Sequence, residues 1–280
     1  MSVELEEKIE NEELIDEKEL EDVSTFGQYC FYGGDEGLNK SFKYLESIAE
    51  KEIWTTSKEY DVLRYYVFKT FARCKNQNKV IEDDTKNFTV FNTGLLSNNG
   101  EQIFGLFEKN KKPNAQPYVL KGFFLESSRK LASIFSELPA LAEYFSNIED
   151  TYFNPYNEII FNIDHILDDN IDRYGDDLKN MNINVLRYLL LGSFAATKKK
   201  IKRNYRIVVP QFYQNSIGYL LPIEIPLDDG RTKIMALAIE KINDKYRANT
   251  IFNLGDAYKK ARLLTKPESN WLLENKEKED

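Results

Sequence analysis

Apolar residues recur at helical spacing in two segments of the first third of the chain. Phe42, Leu45 and Ile48 recur every three residues, which predicts one helix. A second helix is indicated further on, where Thr56 and Glu59 have the spacing of a capping box that satisfies backbone N–H groups at a helix start. Its buried face is expected to consist of Val62, Leu63, Tyr66, Val67, Thr70, Phe71 and Cys74.

The next part of the chain favours strands. Phe88–Phe91 and Ile103–Phe107 are β-prone runs, and Asn98–Asn99–Gly100 lies between them. An Asn-Gly step adopts positive φ readily, so a hairpin is expected over residues 88–107. A strand, a helix and a short strand are predicted to follow, over residues 118–125, 129–137 and 159–163.

A long helix is predicted from Asp176 or Asp177 to Arg203. Its expected buried face is Leu178, Met181, Val185, Leu186, Leu189, Leu190, Phe194 and Ala195. The hydrophobic period then changes to two, which is typical of strands. Short loops join four strands as an antiparallel meander, and a short helix closes it. The predicted strands and closing helix cover residues 207–209, 217–225, 234–239, 246–254 and 256–264.

These elements predict an α+β fold in a single domain. Its N-terminal helices precede a sheet region with a hairpin, and a long central helix leads to the C-terminal antiparallel meander. In the last strand, Tyr246, Ala248, Thr250, Phe252 and Leu254 are expected to share one face.

Composition narrows the class of protein. Of the 280 residues, 42% are hydrophobic and 30% charged, so the chain can bury a sizeable core. No apolar run approaches the ~18 residues of a membrane helix, and the acidic N-terminus lacks the positive charge of a signal peptide. Cys30 and Cys74 are too few for a disulfide framework, and His165 is the single histidine. We therefore expect a soluble cytoplasmic protein with no membrane association, cofactor or metal.

Charge is unevenly distributed along the chain. Residues 1–22 carry a net charge of −9 and residues 268–280 carry −3, so residues 23–267 carry +4 of the total of −8. Acidic ends of this kind are usually solvated tails. No linker composition interrupts residues 23–267, so this range is expected to be one domain between an acidic disordered tail and an acidic C-terminal tail. A sharper interpretation is that the N-terminal tail competes with an anionic ligand for a basic surface.

The densest positive charge lies between Thr197 and Arg206, where six of ten residues are basic. Such a run is suited to phosphate contacts, whose energy comes largely from counterion release. Arg203 and Tyr205 add groups that can stack on bases. The alternative is a solvated helix end, where cations interact favourably with the helix dipole.

Two further segments have candidate chemistry. His165 follows a short predicted strand and could act as a general acid or base, or as a hydrogen-bonded structural residue. Asn92, Thr93 and Gly94 follow another strand, where they form either a turn or an exposed ligand site. The chain has no dinucleotide fingerprint, phosphate loop, zinc-protease motif or nucleophile elbow.

Several short strings occur in a recognisable order. They are Phe91–Asn92–Thr93–Gly94–Leu95, Asp164–His165–Ile166 with Asn170 and Arg173, Arg203–Asn204–Tyr205, Pro210–Gln211 with Tyr213, Leu220–Leu221–Pro222, Thr250–Ile251, Ala257–Tyr258 with Ala261–Arg262–Leu263, and Trp271–Leu272. In this order they resemble the bacterial family catalogued as domain of unknown function 3825, over roughly residues 53–272. The resemblance implies a single α+β domain and, because some members are attached to cold-shock or other RNA-binding modules, work on RNA. Three positions depart from the family: Gly175 stands where Pro is favoured, Asp256 comes one place late, and Lys260 replaces Asn.

The leading hypothesis is an RNA-binding domain that acts in RNA processing, repair or defence. RNA or another phosphate-bearing ligand would be bound by Lys198, Lys199, Lys200, Lys202, Arg203, Tyr205, Asn92, Asn204, Arg173 and Arg262. One alternative is a metal-independent phosphodiesterase or ribonuclease, with His165, Arg203 and Tyr205 as catalytic residues. A second alternative is a protein-interaction module whose acidic tail binds a basic partner. These residues leave open whether the chain is an enzyme and what its oligomeric state is.

Overall fold

The computed structural model describes residues 24–168, 171–213 and 215–273. Helices and two five-stranded sheets confirm the predicted α+β class. The chain divides into two compact units, one ending at Ala142 and the other beginning at Glu143, and each unit has its own sheet. The predicted acidic segment 1–22 lies outside the described residues, and the predicted domain limits at 23 and 267 stay a prediction.

The described part of the first unit starts with a helical segment over residues 24–29. Its elements are β1 (Cys30–Phe31), α1 (Gly34–Ile48), α2 (Asp61–Asn76), β2 (Ile81–Glu82), β3 (Phe88–Leu96), β4 (Gln102–Lys109), β5 (Tyr118–Leu125) and α3 (Arg129–Ala132). The sheet order is β1-β5-β4-β3-β2, in which β1 is parallel to β5 and the other pairs are antiparallel. The β3–β4 hairpin is confirmed, with Gly100 in its turn at a φ of 77°. Helix α3 is shorter than predicted, although a last turn bonds the Phe135 N–H to the Leu131 carbonyl.

Helix α2 begins later than the predicted capping box. The Asp61 carboxylate accepts hydrogen bonds from the Thr56 N–H at 2.8 Å and from the Thr56 hydroxyl at 2.7 Å. An ionised carboxylate has two strong acceptor oxygens. The Thr56 hydroxyl therefore donates to Asp61 instead of capping the helix. Tyr60, at a φ of 57°, then turns the chain into the helix. The capping box is therefore wrong, whereas the predicted stripe is buried throughout.

The core of the first unit is aromatic. The ring of Phe71 lies edge-on to Phe26 at 5.1 Å, to Phe91 at 5.2 Å and to Phe107 at 5.4 Å. Gly105 in β4 pairs directly with Phe91 in β3. A side chain at Gly105 would overlap the Phe91 ring, so the ring occupies the space that this glycine leaves open.

The second unit contains the meander. Its elements are β6 (Ile159–Phe161), α4 (Ile163–Asp168), α5 (Asp176–Lys179), α6 (Ile183–Arg203), β7 (Val209–Tyr213), β8 (Ser216–Pro226), β9 (Thr232–Ile242), β10 (Lys245–Phe252), α7 (Leu254–Arg262) and α8 (Asn270–Leu273), with 3-10 turns at Ile148–Thr151, Ile171–Tyr174 and Tyr205–Ile207. The sheet order is β6-β10-β9-β8-β7. Strands β7 to β10 confirm the antiparallel meander, and β6 joins its edge parallel to β10.

The predicted long helix is interrupted before α6. Asn182 caps α6 by accepting the N–H of Asn184 at 2.9 Å, so the chain starts a new helix there. The break resets the helical phase, and the buried face becomes Leu186, Leu190, Phe194, Thr197 and Ile201. Val185 and Ala195 are exposed, and placing them in the core was wrong. Among the residues that the structure describes, every helix is too short or too polar to span a lipid bilayer.

The two faces of the second sheet are covered differently. Helix α6 packs on the face that carries Tyr219, Leu221 and Leu237. Helix α7 packs against β7, β9 and β10. A register shift between Ala248 and Thr250 ends the expected alternation of β10, and Ile251 instead joins the core beneath α6.

Helix α6 also bonds to the border of β8. The Thr197 hydroxyl donates to the Pro222 carbonyl at 2.7 Å, and the Ser193 hydroxyl donates to the Glu224 carbonyl at 2.6 Å. Strand β7 pairs with β8 only as far as Leu220, so these carbonyls lie beyond the end of β7.

The ordered fold continues past Pro267. In α8, Trp271 is 8% exposed, and its Nε1–H donates to the Ile207 carbonyl at 2.7 Å. A short helical turn thus buries Trp271 and Leu272 within a segment of acidic composition.

Candidate nucleic-acid interface

The basic segment, defined as residues 198–206, is the last turns of α6 and the 3-10 turn that follows. Helix α6 positions its cations by burying Thr197 and Ile201. Apart from Ile201, all its side chains are exposed: Lys198, Lys199, Lys200, Lys202, Arg203, Asn204, Tyr205 and Arg206. The segment contains no acidic residue. It is therefore a solvent-exposed positive surface.

The cations of the basic segment differ in their contacts. Lys200 forms an ion pair with Glu224, with Nζ at 2.5 Å from Oε1, and Lys198 lies over the Phe194 ring at 4.9 Å. In the described part of the chain, the other four cations have no ion-pair partner, namely Lys199, Lys202, Arg203 and Arg206. Lys199, Lys202 and Arg203 have the i, i+3, i+4 spacing that aligns side chains on one helix face.

Tyr205 and Asn204 complete the basic segment. Tyr205 is 48% exposed, so its side chain is accessible to solvent, and an accessible aromatic ring can stack on a base. The Asn204 side-chain oxygen accepts the Arg206 N–H at 3.2 Å and caps the 3-10 turn. An amide side chain also carries two N–H donors, so the cap uses the acceptor side of Asn204.

His165 lies apart from this segment. It is exposed on α4, and the adjacent Asp164 forms an ion pair with Arg187 near the start of α6. Arg203 ends the same helix about 24 Å further on, at a rise of 1.5 Å per residue. The structure therefore keeps Arg203 and Tyr205 together but does not bring His165 to them.

Replacement of His165 by Asn is expected to leave both the melting temperature and RNA affinity unchanged, because the side chain is exposed and remote from the basic segment. Thermal melting and a filter-binding titration would measure the two quantities. The ribonuclease alternative makes the opposite prediction: loss of a general acid or base would slow cleavage of RNA by about 100-fold.

Cysteine chemistry gives the enzyme alternative no support either. Burial raises the pKa of Cys74 to about 12, so its thiol stays protonated near neutral pH and is a poor nucleophile. Among the described residues, no three His, Cys, Asp or Glu side chains are grouped to hold a metal ion.

Asn92 belongs to the first unit, where hydrogen bonds within the protein hold its side chain. It is fully buried, its Nδ2 donates to Gln102 Oε1 at 2.7 Å, and its Oδ1 accepts the Gly94 N–H at 2.9 Å. Thr93 donates to the Ile103 carbonyl at 2.6 Å. The expected bonds from Asn92 and Thr93 to the local backbone are present, but they lie within β3, at a register shift between Asn92 and Leu96, so placing the segment in a turn after the strand was wrong. The same bonds leave Asn92 enclosed and not exposed to a ligand.

Arg173 and Arg262 belong to the second unit but not to the basic segment. Arg173 donates to Thr250 Oγ1 at 2.7 Å, and its Cζ lies 5.2 Å from the Phe252 ring centroid. Lys260 approaches the same ring, with Nζ at 4.9 Å from the centroid. Arg262 is 7% exposed in α7. In the sequence, Lys260 is only a departure from the family pattern, so its approach to the ring that Arg173 also contacts was missed.

The fold and this surface together define a class: an α+β protein of two sheet-containing units with an exposed basic helix end. The chain belongs to the family described as Domain of unknown function (DUF3825), whose model matches residues 45–271. The resemblance of the ordered strings is thereby confirmed, and the match begins earlier than residue 53. No curated protein and no solved structure matches the chain.

Proposed function

We propose that the protein binds single-stranded RNA through the basic segment. The observation that supports this most directly is the group of four cations without ion-pair partners among the described residues, with exposed Tyr205 between Arg203 and Arg206. Cations release counterions when they contact phosphates, and an aromatic ring stacks on any unpaired base. A helix end that is merely solvated would need neither cations without ion-pair partners nor an exposed aromatic ring.

Single-stranded RNA fits better than a duplex because Tyr205 offers stacking. Bases in a helix are already stacked on each other, whereas single-stranded bases can be splayed onto a side chain. The cold-shock modules attached to some relatives in the resembled family agree with this choice. Processing, repair and defence are all compatible with such an activity.

Replacing Lys199, Lys202 and Arg203 together by Gln is expected to weaken RNA binding and flatten its salt dependence. Loss of three phosphate contacts lowers the slope of log affinity against log salt by about 2 for single strands. Fluorescence anisotropy of a labelled unstructured RNA, measured at several salt concentrations, gives this slope. The fold should be retained, because all three side chains are exposed.

A charge-matched control is available in three cations that form surface ion pairs. Lys121 pairs with Glu108, Arg231 with Asp229 and Lys245 with Glu158. Their replacement by Gln changes the net charge equally and should leave the slope near that of the native protein. Equal effects of the two triple variants would contradict the proposal and reduce the basic segment to general electrostatic attraction.

No geometric observation specifically supports either of the two alternative functions. The ribonuclease alternative needs His165 close to Arg203. His165 lies on α4, beside the ion pair of Asp164 with Arg187 near the start of α6, whereas Arg203 ends α6. The acidic tail of the interaction-module alternative, residues 1–22, lies outside the described residues.

A further inference from the structure

The solvent side of helix α6 changes character along its length. Between Arg187 and Lys198 the helix has ten consecutive residues without a charge. Charged and polar residues normally cover the solvent side of a surface helix, so an uncharged exposed stretch of about three turns marks a contact surface. We call its exposed members the neutral face, namely Tyr188, Leu191, Gly192, Ala195 and Ala196.

The neutral face lines up with cations of the basic segment. Lys199, Lys202 and Arg203 each follow a member of the neutral face by 11 residues. Eleven residues are three turns of an α-helix to within about 20°, and they advance about 16.5 Å along its axis. The three cations therefore project from the same side of α6 as the neutral face. Together they form one continuous surface that is uncharged at one end and cationic at the other.

Helix α6 adds no negative charge to this surface. None of the 46 Asp and Glu residues of the chain lies in α6. Two acids that reach the helix from other elements are both engaged, because Asp164 of α4 pairs with Arg187 and Glu224 of β8 pairs with Lys200. A phosphate chain that follows the helix therefore meets no carboxylate of α6.

The shape of the neutral face suits a flat apolar group. Tyr188 is 72% exposed, and a Cβ at Gly192, one turn further along, would meet no atom within 4 Å. Ala195 contributes only a methyl group to the next turn. Because helix side chains lean toward the N-terminus, the Tyr188 ring leaves the surface over these small residues open. A nucleobase can stack on the ring and lie over Gly192 and Ala195.

Charge also distinguishes between RNA and a second copy of the chain as the occupant of this face. In a parallel pair of α6 helices, the cations of the two basic segments would lie against each other. In an antiparallel pair they would lie beside the N-terminal half of α6, which has no carboxylate of its own. Complementary charge is what aligns partners at an interface, so the surface fits an anionic polymer better than a second copy.

We propose that an RNA strand continues from the basic segment along the neutral face, with one of its bases stacked on Tyr188. The choice of RNA rests on the proposed function. At about 3.4 Å per stacked nucleotide, a strand covers the about 16.5 Å between the levels of Lys199 and Tyr188 in about five nucleotides. Tyr205 and Tyr188 are then the stacking groups at the two ends of one path along α6.

Fluorescence anisotropy of the full chain tests this path with two labelled probes. One is an unstructured RNA of about 12 nucleotides, and the other is inorganic polyphosphate with a similar number of phosphates, which has no bases. Tyr188→Ala is expected to weaken RNA binding by about fivefold or more, the loss typical of one stacked base. Polyphosphate binding and the salt slope of RNA binding should not change, because no phosphate contact is lost. Tyr188→Phe keeps the ring and should bind RNA as the native protein does.

Two matched pairs of variants control this experiment. Tyr156→Ala removes a tyrosine that is 83% exposed in the second unit but lies outside α6, and it should leave RNA affinity unchanged. Ala195→Glu puts a carboxylate on the path, whereas Ala195→Gln puts an uncharged side chain of the same size there. Because like charges about 4 Å apart repel even in water, the Glu variant should bind RNA about fivefold more weakly than the Gln variant. Unchanged melting temperatures would confirm that these exposed positions leave the fold intact.

The path along α6 is overturned if Tyr188→Ala binds RNA as tightly as Tyr156→Ala does, or if it loses RNA and polyphosphate binding equally. A smaller mass of Tyr188→Ala than of the native protein in sedimentation equilibrium would also overturn it, since a second copy would then occupy the neutral face. RNA affinity lowered by the triple variant of the basic segment but not by Tyr188→Ala refutes the path alone. The reverse pattern refutes binding through the basic segment and leaves the stacking on Tyr188. Absence of RNA binding by the native protein refutes both.

Discussion

Gly105→Ala is expected to destabilise the first unit by about 3 kcal/mol, because an added methyl group would overlap the Phe91 ring. The ring has nowhere to move. Phe91 is fully buried, with Phe71 at 5.2 Å and Phe107 at 5.7 Å between ring centroids. Close-packed interiors relax only partially around an overlap, so the strain remains in the folded state.

Intrinsic fluorescence can assign this loss to one unit. Trp54 lies in the first unit and Trp271 in the second, so urea unfolding in a Trp271→Phe background reports on the first unit alone. Gly27→Ala is the control within the same unit, because an added methyl group there would meet only Tyr32, at the ordinary contact distance of 3.7 Å from its hydroxyl oxygen. A Gly105→Ala protein whose unfolding midpoint equals that of its parent would show that the Phe91 ring can be displaced freely.

Gly94→Ala is expected to cost more than Gly100→Ala, although both glycines have nearly the same backbone conformation. Gly94 has a φ of 75° and Gly100 a φ of 77°, and left-handed backbone costs a non-glycine residue about 1–2 kcal/mol. A Cβ at Gly94 would also lie 2.7 Å from the Tyr66 hydroxyl, whereas nothing lies within 4 Å of one at Gly100. The overlap adds about 1–2 kcal/mol to the Gly94 variant alone.

Tyr66→Phe provides the decisive comparison for Gly94. Removing the hydroxyl leaves the next ring atom, Cζ, at 3.9 Å from the Cβ position, an ordinary contact. In a double-mutant cycle of urea unfolding, Gly94→Ala should therefore cost less in the Tyr66→Phe background by about the overlap energy. Equal costs of Gly94→Ala in both backgrounds would exclude the hydroxyl as the cause.

The sequence correctly predicted those helices and strands whose pattern lies in residues close together along the chain. The stripe from Val62 to Cys74 and the hairpin around Gly100 depend on neighbours in sequence, and both were confirmed. The split before α6 was missed because a helix cap such as Asn182 is one residue among many polar ones. The bulge after Ala248 was missed because it reflects pairing with β9, which alternation within one strand does not report.

The candidate site shows the same division. The basic segment is a run of adjacent residues, so its charge is visible in the sequence, although its pairing is not: only the fold reveals that Lys200 contacts Glu224. Contacts between distant segments are not visible in the sequence at all. Arg173 and Lys260 both lie over the Phe252 ring, and no spacing rule joins these residues.

The hydrogen bonds that the Ser193 and Thr197 hydroxyl groups donate to β8 bear on whether molecules of this protein aggregate. A strand border with open carbonyl groups can recruit a strand from a neighbouring molecule and begin aggregation. Beyond Leu220 this border of β8 is covered, since its carbonyls at Pro222 and Glu224 already accept helix hydroxyls. Pro222 in addition has no N–H to offer an incoming strand. The helix that carries the cations therefore also blocks edge-to-edge association, which matters most where several molecules crowd onto one ligand.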